Sequence, residues 1–147
     1  VGPGDQSTIK NIVENHDLWD RVIIEGAQSH DDALKLLANS GVLILPSTGE
    51  GLPMAILESL STGVPVIATD VGSISTAVIT NSTGYLLEAG WTVQDLAQVL
   101  QDFASAQYQT EIINMRESCL NLWKANYSIE QFIERLMETY ESVLKKF

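Results

Sequence analysis

The residues best suited to chemistry lie between Pro46 and Asp70, a stretch that reads PSTGEGLPMAILESLSTGVPVIATD. It holds two glutamates, Glu50 and Glu58, with seven residues between them. Ionised carboxylates only accept hydrogen bonds, so such a pair suits hydroxyl donors of the kind a sugar carries. Met54, Ala55 and Glu58 share one helical face by the i, i+3, i+4 rule, and Glu50 lies in the segment leading onto that helix. The first N–H groups of a helix have no internal partner and carry partial positive charge, so an anion, typically a phosphate, fits beside them. Two carboxylates beside an anion site match a ligand that offers hydroxyls and phosphates together, as a nucleotide sugar does. A Gly-Pro turn followed by a surface helix with two solvated acids is the bland alternative.

Positioning these groups requires a strand on either side of the helix. Val42-Leu43-Ile44-Leu45 reads as a buried strand that runs into the loop Ser47-Thr48-Gly49-Glu50-Gly51-Leu52. Pro53 fits the first helical position, where its fixed φ is suitable and no N–H is lost. The pattern carries the helix to about Thr62, with Gly63 as its left-handed stop. Pro65 opens a second strand, Val66-Ile67-Ala68-Thr69. Strand, Gly-rich loop, helix and strand make a parallel crossover. Both carboxylates then face a crevice at the carboxyl end of the sheet, where open α/β sheets bind ligands.

At Glu50-Gly51-Leu52-Pro53, Leu57-Glu58, Gly63-Val64-Pro65-Val66 and Thr69-Asp70-Val71-Gly72 the chain closely resembles the donor-site signature of family 4 retaining glycosyltransferases, which have the GT-B fold. A lone pair of glutamates at this spacing is unspecific; the Gly, Pro and aliphatic context makes the signature. The resemblance covers nearly the whole chain. It implies an α/β, Rossmann-like parallel sheet flanked by helices, the C-terminal, donor-binding half-domain of such an enzyme. It also implies that the N-terminal acceptor domain and the first strand of this domain precede Val1, together with an Arg and a Lys that grip a diphosphate.

The implied reaction is sugar transfer from a UDP-, GDP- or ADP-sugar to a sugar, lipid or glycan acceptor, with retention at the anomeric carbon. Glu50 would hold donor sugar hydroxyls at the reacting end, and Glu58 the ribose hydroxyls. The backbone amides of Gly51, Leu52 and Met54 would meet the sugar or phosphates, and Ser73 would offer a backbone contact. The leaving phosphate itself can deprotonate the acceptor, so no enzyme nucleophile, metal or cofactor is implied. Where the family more often has a second Gly, then Pro and Glu, this chain has Ser73, Ser75 and Thr76, which leaves no charged contact at Thr76. Gly2 and Gly4 in Val1-Gly2-Pro3-Gly4-Asp5 resemble the family's Gly-x-Gly turn, where a ligand approaches the backbone closely; a tight turn alone is the other reading. Paired acids also occur in glycoside hydrolases, at ~5–5.5 Å or ~6.5–9.5 Å across a glycosidic bond, but a helix-start anion site favours a phosphate leaving group. A GT-B-fold epimerase or phosphorylase, or a non-catalytic nucleotide-sugar-binding or assembly module, are the remaining alternatives.

Composition bounds these readings. The chain has 147 residues, 45% hydrophobic and 18% charged, which fits one globular domain with a core. The net charge of −11 repels nucleic acid and anionic lipid. It also sets a puzzle for a diphosphate ligand, since the first seventy residues hold only Lys10, Arg21 and Lys35; the upstream cations answer it. No apolar run approaches the ~20 residues of a membrane helix, and no secretory signal is visible at the start. The expected location is cytoplasmic, with the inner face of the membrane as an alternative station for the full-length protein. The two sequons, Asn81-Ser82-Thr83 and Asn126-Tyr127-Ser128, then read as chance. Cys119, the one cysteine, reads as a small core residue.

Elsewhere the periodicity predicts a helix from Ser7 to Asn15 with Ile9, Ile12 and Val13 inward. A strand is expected over Arg21–Glu25, and a helix over Ala33–Asn39 capped by His30-Asp31-Asp32, with Leu34, Leu37 and Ala38 buried. His30 reads as a surface histidine at a helix start, or as a contact to a ligand base. A loop and short helix follow Gly72, and Asn81 to Leu87 turn into the last strand. Thr92 and Asp95 form a variant capping box for a helix whose apolar face is Leu96, Val99, Leu100 and Phe103. A helix over about 107–125 precedes a last one, opened by Ser128 with Gln131 as a capping box. Its stripe of Ile129, Phe132, Ile133, Leu136, Met137, Tyr140, Val143 and Leu144 marks one wide apolar face. Packing on its own domain and contact with a further domain are the two readings of that face.

Overall fold

A computed structural model of the chain describes residues 5–145, apart from the side chain of Gln107. Gly2 and Gly4 therefore lie outside the described residues. The chain divides into two units, Val1–Leu36 and Leu37–Phe147.

In the first unit, α1 spans Ser7–Asn15 as its periodicity requires. The Asp5 carboxylate accepts from the Ser7 N–H and the Ser7 hydroxyl, both at 2.9 Å. The Ser7 amide, and then its hydroxyl, hold the Asp5 carboxyl below its ordinary range. Of the three residues expected inward, only Val13 is buried; Ile9 and Ile12 are half exposed. Arg21–Glu25 does not form the expected strand. A strand exists only as one side of a ladder, and among the described residues no strand pairs with this segment. Instead, Val22 N–H closes a turn to Leu18 O at 2.9 Å, and Glu25 O accepts from the Gln28 side chain at 2.8 Å.

Helix α2, His30–Ala38, runs across the division between the units. It begins earlier than its sequence suggests because Ser29 is its cap. The Ser29 hydroxyl donates to the Asp32 carboxylate at 2.7 Å and accepts from Asp32 N–H at 3.2 Å, the capping-box spacing with Asp in place of Glu. Lys35 Nζ reaches Asp32 at 2.9 Å; that contact, more than the Ser29 hydroxyl, lowers the Asp32 pKa. None of Leu34, Leu37 and Ala38 is buried, and Ala38 is exposed.

The second unit is built on a parallel sheet of strands β1 (Leu43–Leu45), β2 (Val66–Thr69) and β3 (Gly84–Leu87), in spatial order β1-β2-β3. Leu43 pairs with Val66, and Val66 with Gly84. The central strand is buried throughout, as expected of an apolar run covered on both faces. The first strand is expected to be buried too, yet Ile44 is 38% exposed; within this sheet β1 is an edge.

Helix α3, Met54–Ser61, forms the crossover between β1 and β2. Pro53 stands one position earlier than expected, as the N-cap, with φ −64° and ψ 135°. Its carbonyl still accepts from Ile56 N–H at 3.0 Å. Gly63 adopts a left-handed φ of +69° and ends the helix as predicted. Ile56 and Leu60 of α3 pack with Val66, Ala68, Ile74, Ala77, Val78 and Cys119 on one face of the sheet. Ile67, Leu87, Val99, Phe103 and Met115 make a second cluster. Alternate residues of β2 thus feed two different cores, as strand geometry demands. Burial pushes the Cys119 thiol up to about 12.

After β2 a 3-10 turn, Ile74–Thr76, occupies the place of the expected short helix. Helix α4, Val93–Ala104, has the full Thr92–Asp95 capping box. It buries Val99 and Phe103 and half-buries Leu96 and Leu100. A 3-10 turn over Ala106–Tyr108 precedes α5, Gln109–Asn126, where the sequence predicts one continuous helix. Helix α6 covers Ile129–Leu144. Ser128 Oγ accepts from Gln131 N–H at 3.3 Å, but the return arm of the expected box is missing. Gln131 turns to Glu134 at 2.9 Å, and Ser128 N–H goes to Trp123 O at 3.0 Å. Arg135 reaches back to Asn126 O at 3.2 Å and to Asn126 Oδ1 at 3.0 Å. It supplies a cation where the last carbonyls of α5 lack partners. No residue of α6 is buried, and its apolar stripe from Ile129 to Leu144 is exposed throughout.

Candidate functional site

Three parallel strands end on one edge, so the segments after Leu45, Thr69 and Leu87 emerge together. The first carries Glu50, Gly51 and Leu52 into α3. The second carries Gly72 and Ser73.

The 47–51 loop is tied down at several points. Thr69 Oγ1, at the end of β2, donates a short hydrogen bond to Ser47 O. Ser47 Oγ in turn donates to Glu50 Oε1 at 3.1 Å, which holds one carboxylate oxygen and leaves Glu50 exposed. Ser73 N–H donates to Gly51 O at 2.9 Å. Gly72 has φ +58°, and a Cβ there would overlap the Glu50 carbonyl oxygen and lie 2.8 Å from that of Gly51. The two loops therefore touch backbone to backbone.

The start of α3 has the open donors that a helix end leaves. Among the described residues, the N–H groups of Gly51, Leu52 and Met54 have no acceptor. Met54 is 65% exposed, so its face of the first turn is open. A Cβ on Gly51 would meet nothing within 4 Å, and its φ is not left-handed. Nothing among the described residues therefore requires a glycine there, whereas close approach of a ligand would. Glu58 is half-buried one turn beyond Met54. Its carbonyl accepts from Ser61 Oγ at 2.7 Å and from Thr62 N–H at 3.1 Å at the far end of α3.

Glu50, Gly51 and Ser73 are thus brought to one place from two loops, with Leu52 and Met54 continuing from it and Glu58 following on the helix. Sequence reasoning missed Ser47 and Thr69, which fix the loop. Ser47 had a signal, since it stands three residues before Glu50 in the S-x-x-E spacing of a local hydroxyl–carboxylate pair. Thr69 had none, because its partner is twenty-two residues away.

A concavity of about 530 Å³ is lined by Tyr85, Trp91, Asp95, Asp102 and Tyr108 among others. It opens on the side of the second cluster, and neither Glu50 nor Glu58 lines it. Asp95 is engaged by Thr92 at 2.7 Å and Asp102 by Gln98 at 3.0 Å, so these acids serve the helix that carries them. Among the described residues no group of three His, Cys, Asp or Glu side chains is placed to hold a metal, and no helix is long and apolar enough to cross a membrane.

Residues 1–121 match the family model described as "Glycosyl transferases group 1". The chain is 34% identical over 146 residues to the N-acetyl-alpha-D-glucosaminyl L-malate synthase of Bacillus anthracis, covering 97% of this chain and 35% of that protein. Among solved structures it resembles a sucrose-phosphate synthase from Thermosynechococcus elongatus, with TM-score 0.81 and 22% identity over 97% of this chain and 35% of that one. It also resembles Anabaena Alr3699/HepE in complex with UDP, with TM-score 0.79 and 20% identity over 92% and 36%. Both are likenesses of fold. The chain spans about a third of the length of these relatives.

Proposed function

Because the chain belongs to the group 1 glycosyl transferases, we propose that the crevice at the carboxyl edge of its sheet holds a nucleotide-sugar donor. In the whole protein that donor's sugar passes to an acceptor with retention at the anomeric carbon, the family 4 chemistry. The observation that carries this reading is the run of unpartnered amides of Gly51, Leu52 and Met54 beside the exposed Glu50 carboxylate. Amides at a helix start take phosphate or sugar oxygens; a carboxylate takes sugar hydroxyls.

Each group has a role in that scheme. Glu50 accepts from hydroxyls of the transferred sugar, and the Ser47 hydroxyl fixes its rotamer. Glu58, further along α3, accepts from the ribose. The leaving phosphate draws charge stabilisation from the helix start and takes the acceptor's proton. Electrostatic stabilisation of that leaving group is the main task, so the sparse cations of residues 1–70 must be supplemented by an Arg and a Lys from an upstream segment of the same domain. The scheme assigns no step to a metal. The apolar stripe of α6 seats the second, acceptor-binding domain of the same protein.

Isothermal titration of the full-length protein with UDP-, GDP- and ADP-sugars tests the donor site, and saturable micromolar binding of one class is expected. Binding of none would sink the reading. The anomeric proton coupling of the product tests retention separately, and an inverted product would remove the family 4 mechanism alone. An epimerised or phosphorolysed donor, without transfer, would point to the related GT-B activities.

A further inference from the structure

We propose that Gly72 is a positioning residue for the donor site, the template against which the peptide planes at Glu50–Gly51 and Gly51–Leu52 are set. The Glu50 and Gly51 carbonyl oxygens both lie against the Gly72 Cα, close enough that a Cβ would overlap the first and crowd the second at 2.8 Å. The Gly51 oxygen is also held by Ser73 N–H at 2.9 Å. All described peptide bonds are trans. In a planar trans peptide the carbonyl and the following N–H point in opposite directions. Two successive carbonyls turned toward the 72–73 segment therefore turn the N–H groups of Gly51 and Leu52 away from it. These are two of the amides left without an acceptor. Successive N–H groups aimed to one side form an anion-binding concavity.

The 70–73 segment acts on the donor through the 50–52 loop. The Ser73 amide is engaged with Gly51, and the missing side chain of Gly72 is what allows the approach. Its left-handed φ of +58° is a further demand for glycine. Gly90 separates the two demands. It has φ +85°, but a Cβ there would meet no atom within 4 Å. Alanine at Gly90 thus meets backbone strain alone, whereas alanine at Gly72 meets the same strain together with a steric push on two carbonyls.

The inference rests on the donor-site reading, and the test separates them. In the full-length protein, Gly72→Ala, Gly72→Asn and Gly90→Ala are compared with wild type by UDP titration, donor KM and kcat, and the amide resonances of Gly51 and Leu52. Asparagine tolerates the left-handed backbone yet keeps a Cβ. Both Gly72 variants are expected to lose UDP affinity at least ~10-fold and to shift the two amide resonances, with melting midpoints no lower than that of Gly90→Ala by more than a few degrees. Gly90→Ala is expected to keep wild-type affinity. Wild-type UDP affinity and unmoved Gly51 and Leu52 resonances in folded Gly72→Ala would overturn the proposal. If wild type binds no UDP, GDP or ADP, the functional reading fails instead, and the amide resonances alone decide whether Gly72 sets the loop.

Discussion

Helices α3 and α6 differ in the opposite sense from what their sequences suggest. The α6 segment has the regular apolar stripe of a packed helix, but none of its residues is buried. The α3 segment is shorter and less regular, yet it buries Ile56, Ser59 and Leu60 completely. An apolar stripe states that a face must be covered; it does not state by what. For α3 the partners lie within the same unit, on β2 and α5. For α6, among the described residues, the hydrogen bonds to α5 come from its first half, where Ser128 N–H meets Trp123 O and Arg135 meets Asn126.

The sharpest way to break this contrast is to delete side chains on both helices. Leu60→Ala is expected to cost ~2–5 kcal/mol, the range for a fully buried leucine in a core that cannot collapse around the gap. Urea unfolding of the 147-residue chain measures it, and a cost near zero would show that the first cluster is not a working core.

The next effects are on function. Glu50→Gln in the full-length protein replaces an acceptor-only group by one that is half donor, with charge-assisted bonds worth ~1.5–3 kcal/mol each at stake. Turnover should fall ~10- to 100-fold, and by more than donor affinity does, if those bonds tighten as the glycosyl cation develops. Glu58→Ala should weaken donor binding first, by about ten-fold, with a smaller change in turnover. Steady-state kinetics with circular dichroism to confirm folding would separate the two. Wild-type kcat and KM in both folded variants would show solvated surface acids.

The smallest effect is expected on α6. Phe132→Ala should change the stability of the 147-residue chain by no more than ~0.5 kcal/mol, as for an exposed site. In the full-length protein the same change should lower the melting midpoint measurably if the stripe is covered there as proposed. Equal effects in both would remove α6 as a seat for another domain. Cys119 gives a companion control, since its thiol, raised to about 12 by burial, stays protonated at pH 8. Iodoacetamide should label it only after denaturation.

What was legible in the sequence follows the same division. The crossover from β1 to β2, the Gly63 stop and the Thr92–Asp95 cap are local, and residue types fix them within a few positions. Arg21–Glu25 fails as a strand because pairing depends on a neighbour that its own residues do not describe. The reach of α2 back to His30 is hidden because Ser29 competes as a cap with the acids that follow it. In the candidate site, the glutamates, Gly51 and the open amides are readable, since each depends on the turn into α3. Contacts made across the sheet edge, Thr69 to Ser47 and Gly72 to Glu50, link residues about twenty apart. Only the parallel register of β1 and β2 brings them together.

The elbow between α5 and α6 has a mechanical consequence. Sixteen residues of helix make an arm ~24 Å long, fastened in its first half by Ser128 N–H on Trp123 O and by Arg135 on Asn126. Tyr127, at the pivot, is hydrogen-bonded to Thr76 O at 3.1 Å, three residues beyond Ser73. For an arm of that length, a 10° rotation at the pivot displaces the tip by ~4 Å. A load applied across the free end of the arm would therefore reach Tyr127 with leverage, and through its hydrogen bond the Thr76 carbonyl, close to the segment that backs the Glu50 loop.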